Sequence, residues 1–207
     1  MRATVPSVIP DQTGLRLGAS ERRSQLLDVA KTTFGTHGYS ATSMNDVALA
    51  AGVTKPVLYQ HFDSKHQLFL ELLADVSNQL VQRIEAAIVT ARSGREKVEL
   101  SVAAHVGFFT DDPHRFHIIY GEGVRSDPTF LRELGELQTS FGALTAEHID
   151  IEGLDYESRM VAAVAVLGLM ESAVRHWLDS ESTHTAQELS TLLSSLAWRG
   201  LRGAATS

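Results

Sequence analysis

The chain has 207 residues, 43% of them hydrophobic, no cysteine, and a formal net charge of −7. A chain of this length buries about 70% of the surface its unfolded form exposes, so it needs no metal or disulfide staple. The missing cysteine excludes a disulfide framework, an iron–sulfur cluster, a cysteine-ligated zinc site and a thiol nucleophile. The longest uncharged apolar run, Met160–Met170, falls short of the 18 or more residues that span a bilayer. We therefore expect no membrane association and a cytoplasmic protein.

Residues 1–19 mix Pro, Gly, Thr and Ser without period and read as a flexible arm. From Ser20 the apolar spacing is helical. Leu26, Leu27, Ala30 and Phe34 form one stripe, with Ser20 as the expected N-cap and Gly35 and Gly38 as the stop. Asp112-Pro113 and Asp127-Pro128 predict two further helix starts, since a proline costs nothing at the first helical position, and Asp155 is the expected cap of another. No stretch sustains the period-two alternation of a strand. The fold class is all-α, with about nine helices.

Charge divides the chain. Residues 1–66 carry seven Lys/Arg and five Asp/Glu, against eleven and twenty in residues 67–207. A mildly basic front on an acidic body suggests that only the front meets a polyanion.

The segment Ser43–His66 carries most of the functional information. Ser43 with Asp46 reads as a capping box, and Val47, Ala48 and Ala51 as the buried face of a short helix. Gly52 supplies a tight turn and Val53 a buried residue after it. Thr54 then caps a second short helix with Pro56 in its first turn, and Ser64 with Gln67 opens a long third one. Two short helices joined by Ala-Gly-Val form a helix-turn-helix, whose second helix lies in the DNA major groove. On that helix Leu58 and Phe62 face inward, while Lys55, Pro56, Tyr59 and Gln60 form an outer face suited to phosphates and base edges. Lys65 can reach a phosphate near the next helix start.

Phe34, Gly38-Tyr39, Thr42-Ser43-Met44, Val47-Ala48, Ala51-Gly52-Val53, Lys55, Leu58–Phe62 and Ser64-Lys65 resemble the TetR family of transcriptional regulators in order and spacing. The resemblance covers about residues 20–75. It implies a homodimer with a DNA-binding head (20–66) and a ligand-binding and dimerisation body (67–207). It places Thr42, Ser43, Lys55, Tyr59, His61 and Lys65 at positions that commonly touch DNA, and Asn45 and Gln60 where operator specificity varies. The expected function is a ligand-responsive repressor on a palindromic operator, read by residues 54–62. The alternative is a helical small-molecule carrier that does not bind DNA.

In the body, an unbroken pattern from Leu68 to about Ala91 predicts one long helix linking head to body. A helix from Asp155 to about Asp179 is apolar all round at Met160–Met170, so burial on every side is expected. The last helix places Leu189, Leu192, Leu193, Leu196, Ala197 and Leu201 on one stripe. Both helices are candidates for a four-helix interface between two copies. Phe108, Phe109, Phe116, Tyr120, Phe141, Leu167, Met170 and Trp177 are the candidate lining of a cavity for a lipophilic effector. Arg175–Asp179 and Lys55–Phe62 are similar to actinobacterial fatty-acid-synthesis regulators of the same family, which implies a long-chain acyl-coenzyme A effector. His114 and His117 stand at metal-ligand spacing without a second pair, and there is no nucleophile elbow, phosphate loop or dinucleotide fingerprint. We expect no metal, no cofactor and no catalysis, a metal-dependent hydrolase being the enzyme rival.

Overall fold

Short polar side chains decide where most of the helices begin. The structure, a computed structural model, describes residues 18–148, 153–180 and 182–204, so the arm expected over 1–19 lies almost wholly outside the described residues. Helix α1 (Ala19–His37) opens on Gly18, whose N–H donates to the Glu21 carboxylate at 2.9 Å. Ser20, the expected cap, falls inside the first turn because Glu21 closes that turn earlier. Helix α2 (Met44–Ala50) starts with the expected capping box: Asp46 N–H donates to Ser43 Oγ at 3.2 Å, and Ser43 N–H to Asp46 Oδ2 at 2.8 Å.

Helix α3 (Lys55–Tyr59) follows Thr54, whose hydroxyl makes no capping bond. Helix α4 (Lys65–Ile88) is capped by Ser64 Oγ, which accepts from Gln67 N–H at 3.1 Å. The Gln67 amide oxygen reaches back to Asp63 N–H at 2.6 Å, so the return bond closes on Asp63 rather than on Ser64.

The body comprises α5 (Gly94–Thr110), α6 (Pro113–Tyr120), α7 (Glu122–Ser126), α8 (Pro128–His148), α9 (Tyr156–Asp179) and α10 (Ala186–Ala204). Asp112, Asp127 and Asp155 cap α6, α8 and α9 as expected, accepting from the N–H groups of His114, Thr129 and Ser158 at 3.2, 2.8 and 2.8 Å. Among the described residues there is no strand. The described residues form ten helical segments against about nine expected, with only Gly121 parting α6 from α7.

Gly35 does not stop α1. The helix runs through it, and Gly38, at φ +80°, ends it. Gly35 is buried where α1 crosses α6, and a Cβ there would stand 2.5 Å from the His114 Cβ. Its small size sets how closely head and body approach. The Lys31–Asp112 ion pair at 2.9 Å and the His66–Asp127 pair at 3.2 Å flank the same junction. Tyr39, Phe69 and Phe130 meet there ring on ring at 4.8–5.2 Å. One buried cluster therefore runs from Leu26 to Leu201.

Helix α9 is not buried on every side. Ala163, Leu167, Met170 and Val174 form one sealed stripe, while Val161 and Leu169 are 67% and 39% exposed. Likewise the α10 stripe splits: Leu189, Leu193, Ala197 and Leu201 are buried, Leu192 and Leu196 about half exposed. The reason is that α5 and α8 cover α9 from one side, with α10 along its edge. By length and a mean hydropathy of 1.3, α9 is the one described helix that could cross a membrane. Its charge-free run is nevertheless bounded by Arg159 and Glu171.

Candidate nucleic-acid interface

The angle between α2 and α3 is set by two backbone hydrogen bonds. Gly52, at φ +64°, donates to Leu49 O at 3.1 Å, and Val53 donates to Ala48 O at 3.0 Å. This paired closure of a helix end needs a left-handed residue, which glycine adopts without strain. Val53 is half-buried rather than sealed. Leu58 and Phe62 are 0% and 1% exposed and join Leu26, Ala30, Phe34 and Val47 in the core. The Arg23 guanidinium covers the Phe62 ring at 4.6 Å and pairs with Glu71.

With those anchors inside, the opposite side of α3 faces solvent. Lys55, Pro56, Tyr59 and Gln60 are all exposed, and the Lys55 ammonium lies 5.8 Å from the Tyr59 ring centre. Ser43 and Asn45 are exposed at the start of α2, and His61 is half-buried beside Phe62. The Ser43 hydroxyl and N–H hold the Asp46 carboxyl below its ordinary 3.8, which keeps a negative charge on the first turn of α2.

The other two candidates turn inward. Thr42 is buried, its hydroxyl donating to Gly38 O at 2.8 Å. Lys65 donates to Tyr39 O at 2.9 Å and to Thr42 O at 3.0 Å, and its ammonium sits 4.4 Å over the Tyr39 ring. That clasp ties the start of α4 to the α1–α2 loop. An ammonium has three N–H groups, so one remains.

The candidate effector residues lie in a closed interior. Phe108, Phe109, Phe116, Tyr120, Phe141, Leu167 and Met170 are at most 3% exposed. Phe141 and Met170 share a cavity of about 20 Å³ with Val98, Val102 and Ala163. Further along α5, Phe109 meets Phe116 and Tyr120 of α6 in edge-on and tilted contacts, with Phe108 against Phe109 and under the Arg115 guanidinium. Trp177 stands apart, half-buried, its indole N–H donating to His184 O at 2.8 Å. His105, fully buried beside Phe109, was not among the expected residues. Its place on the Val98–Val102–Phe109 stripe is the signal that could have found it. His114 packs against Gly35. Among the described residues, no group of three His, Asp or Glu stands close enough to hold a metal.

A head that anchors α3 from beneath and turns its polar face outward, on an all-helical body, defines a helix-turn-helix DNA-binding regulator. Residues 26–72 match the model of bacterial regulatory proteins, tetR family. The chain is 29% identical over 195 residues to the HTH-type transcriptional activator FasR of Mycolicibacterium smegmatis, covering 92% of this chain and 88% of that one. It is 33% identical over 130 residues to the HTH-type transcriptional repressor KstR2 of Rhodococcus jostii, covering 61% and 63%. A TetR-like regulator from Rhodococcus sp. RHA1 superimposes with a TM-score of 0.72 at 27% identity, covering 91% of this chain and all of the other. The same fold, at 22% identity and a TM-score of 0.71, is seen in a Bacillus subtilis FadR solved with stearoyl-CoA, over 84% of this chain and 96% of that one. Residues 26–72 thus carry the DNA-binding region of tetR-family regulators, and over most of its length the chain is similar to transcriptional regulators.

Proposed function

We propose that this regulator reads a two-fold operator by laying α3 in the major groove. Lys55, Pro56, Tyr59, Gln60 and His61 would face base edges and phosphates, with Ser43 and Asn45 on the flanking backbone. Lys65 would add its remaining N–H to a phosphate while Thr42 holds the loop beneath it. The observation carrying this reading is the exposure of the polar side of α3 over the sealed Leu58 and Phe62. Residues 20–66 then act as head and 67–207 as body, in the cytoplasm with the DNA.

The exposed apolar face of α9 and α10 (Val161, Leu169, Leu192 and Leu196) would pair with its copy in a four-helix interface. Half-sites then lie about one helical turn, ~34 Å, apart. For the effector we propose a long-chain acyl-coenzyme A. The largely apolar slot between α5, α8, α9 and α10 supports this reading, as do the likeness to FasR and the stearoyl-CoA held by a protein of the same fold. Bound effector favours a dimer whose heads are spaced differently, which is a population shift between two states.

Fluorescence anisotropy on duplex DNA from beside the protein's own gene, with and without stearoyl-CoA, tests both halves. Specific binding should weaken steeply with salt, because phosphate contacts dominate affinity. Lys55→Ala should lower DNA affinity and leave dimerisation intact; equal binding by this variant at moderate salt would remove α3 as the reading face. FasR is called an activator and KstR2 a repressor. The sign of the stearoyl-CoA effect, measured alongside transcription from the same DNA, therefore decides between release and recruitment. No change with stearoyl-CoA would keep the regulator and discard the acyl effector.

A further inference from the structure

We propose that His105 and Tyr120 are the polar readers of the effector, and that the effector carries an uncharged oxygen, a carbonyl or a hydroxyl, on an apolar body. The proposal rests on reading the helical body as the effector site, and it names the chemistry that site selects.

His105 on α5 is completely buried, yet neither Nδ1 nor Nε2 has a hydrogen-bond partner. Tyr120, at the end of α6, is 2% exposed, and its hydroxyl also has no partner. The two groups flank one ring: the Phe109 centroid lies 5.0 Å from that of His105 and 5.7 Å from that of Tyr120. Phe116 closes the box at 5.4 Å from Phe109 and 5.1 Å from Tyr120. Buried donors and acceptors in native proteins are nearly always paired, because water lost on burial must be replaced. Two unpaired groups on the same ring are therefore a site whose partners arrive with a ligand.

The route to that box is largely apolar. Val98, Val102, Phe141, Ala163 and Met170, with the hydroxyl residues Ser101 and Thr145, line the slot of about 20 Å³, room for about one water. His105 stands one turn beyond Val102 on the same helix. An aliphatic chain that widens the slot would bring its head along α5 to the imidazole. Burial pushes the His105 pKa down to about 3, so the ring is neutral and offers one donor and one acceptor, as the phenol does.

A carboxylate would carry the desolvation penalty of an ion into a box whose own polar groups are neutral. The guanidinium groups beside it already have partners: Arg175, 4.9 Å from the Phe116 centroid, donates to Tyr120 O at 2.9 Å and to Glu171 at 3.1 Å, and Arg115, 4.5 Å from the Phe108 centroid, donates to Phe108 O at 3.0 Å and lies 3.5 Å from Asp112. An uncharged C=O or O–H can instead bond to either reader without that penalty.

The test uses the full-length dimer with stearoyl-CoA and its S-octadecyl thioether, in which CH₂ replaces the carbonyl. Binding is measured calorimetrically for the wild type, His105→Phe and Tyr120→Phe, alongside the thermal midpoint without ligand. The wild type should prefer the thioester about tenfold, the size of one buried hydrogen bond. Each variant should lose that preference while its unliganded midpoint stays equal or rises, because an unpaired polar atom has been removed. A merely structural role would lower the midpoint instead. A retained preference in both variants, or equal wild-type binding of the two compounds, overturns the proposal.

If the wild type binds neither compound, the acyl-coenzyme A reading fails and the readers are judged separately with 1-decanol and decane. Movement of the His105 ring ¹⁵N resonances by the alcohol alone upholds the polar-reader proposal, and no movement overturns it. If the variants do not fold, the same resonances in the wild type, with thioester against thioether, decide the matter.

Discussion

Around α3, Lys55, Tyr59 and Gln60 face solvent while Leu58 and Phe62 hold the helix from beneath; around α5, Phe109, Tyr120 and His105 are all sealed inside. The head presents its chemistry on a finished surface, so a rigid duplex can dock without rearranging it. The body hides its chemistry among aromatic rings, and any ligand must separate helices to reach it. A regulator needs both arrangements. A surface that meets DNA has to be preformed for specificity, whereas a ligand site must differ between two states to carry a signal. The two regions are joined by α4, by the Gly35–His114 contact and by the Tyr39–Phe69–Phe130 rings.

The largest effect should come from removing an anchor of the head. Phe62→Ala empties a sealed site and should destabilise the protein by about 3–5 kcal/mol in a denaturant titration, with loss of specific DNA binding. If DNA binding survives, α3 is held by something other than its buried side.

Next comes the junction. Gly35→Ala drives a Cβ to 2.5 Å from the His114 Cβ, so α1 and α6 must separate at about 1–3 kcal/mol. DNA affinity should fall with it. Gly135→Ala on α8 is the control: a Cβ there meets nothing within 4 Å, and the change should stabilise by about 0.5–1 kcal/mol. Equal midpoints for the two variants would mean that the junction yields freely and that head and body are not coupled through it.

A smaller effect depends on pH. His105 has a folded pKa of about 3 against 6.5 when unfolded, so below pH 6.5 the unfolded chain takes up a proton that the native state refuses. Its contribution is nil above 6.5, and stability falls as pH drops from 6.5 towards 3, by at most about 1.4 kcal/mol per pH unit. His105→Phe should flatten the stability profile in that window. A profile unchanged by the substitution would mean that water reaches the imidazole and the body is not sealed.

The smallest change is at the α2 cap. Ser43→Ala should destabilise by about 1 kcal/mol near neutral pH. Because Ser43 holds the Asp46 carboxyl below 3.8, the wild-type advantage is present above that value and lost as pH falls through the lowered one. Denaturant midpoints at pH 7 and pH 3 would show the difference shrinking.

Much of the head could be read directly from residue order. The Ser43–Asp46 box, the Gly52 turn, the Ser64 cap and the Asp-Pro starts of α6 and α8 involve partners within a few residues, so the local chain contains both halves of each interaction. The outward face of α3 follows from Leu58 and Phe62 for the same reason. Lys65 was harder: its partners, Tyr39 O and Thr42 O, lie 26 and 23 residues away.

What the amino-acid sequence determined by itself was the helical class, most of the helix starts, and the second short helix of the helix-turn-helix with its polar side, because each depends on periodicity or on bonds that span one turn. Only the tertiary structure decided that Gly35 is a crossing point rather than a stop. It also decided that α9 and α10 seal one side and leave the other bare, and that two polar groups stand unpaired beside Phe109. Those facts depend on which distant helix lies opposite a residue, and hydrophobic spacing specifies that a face is buried without naming what buries it.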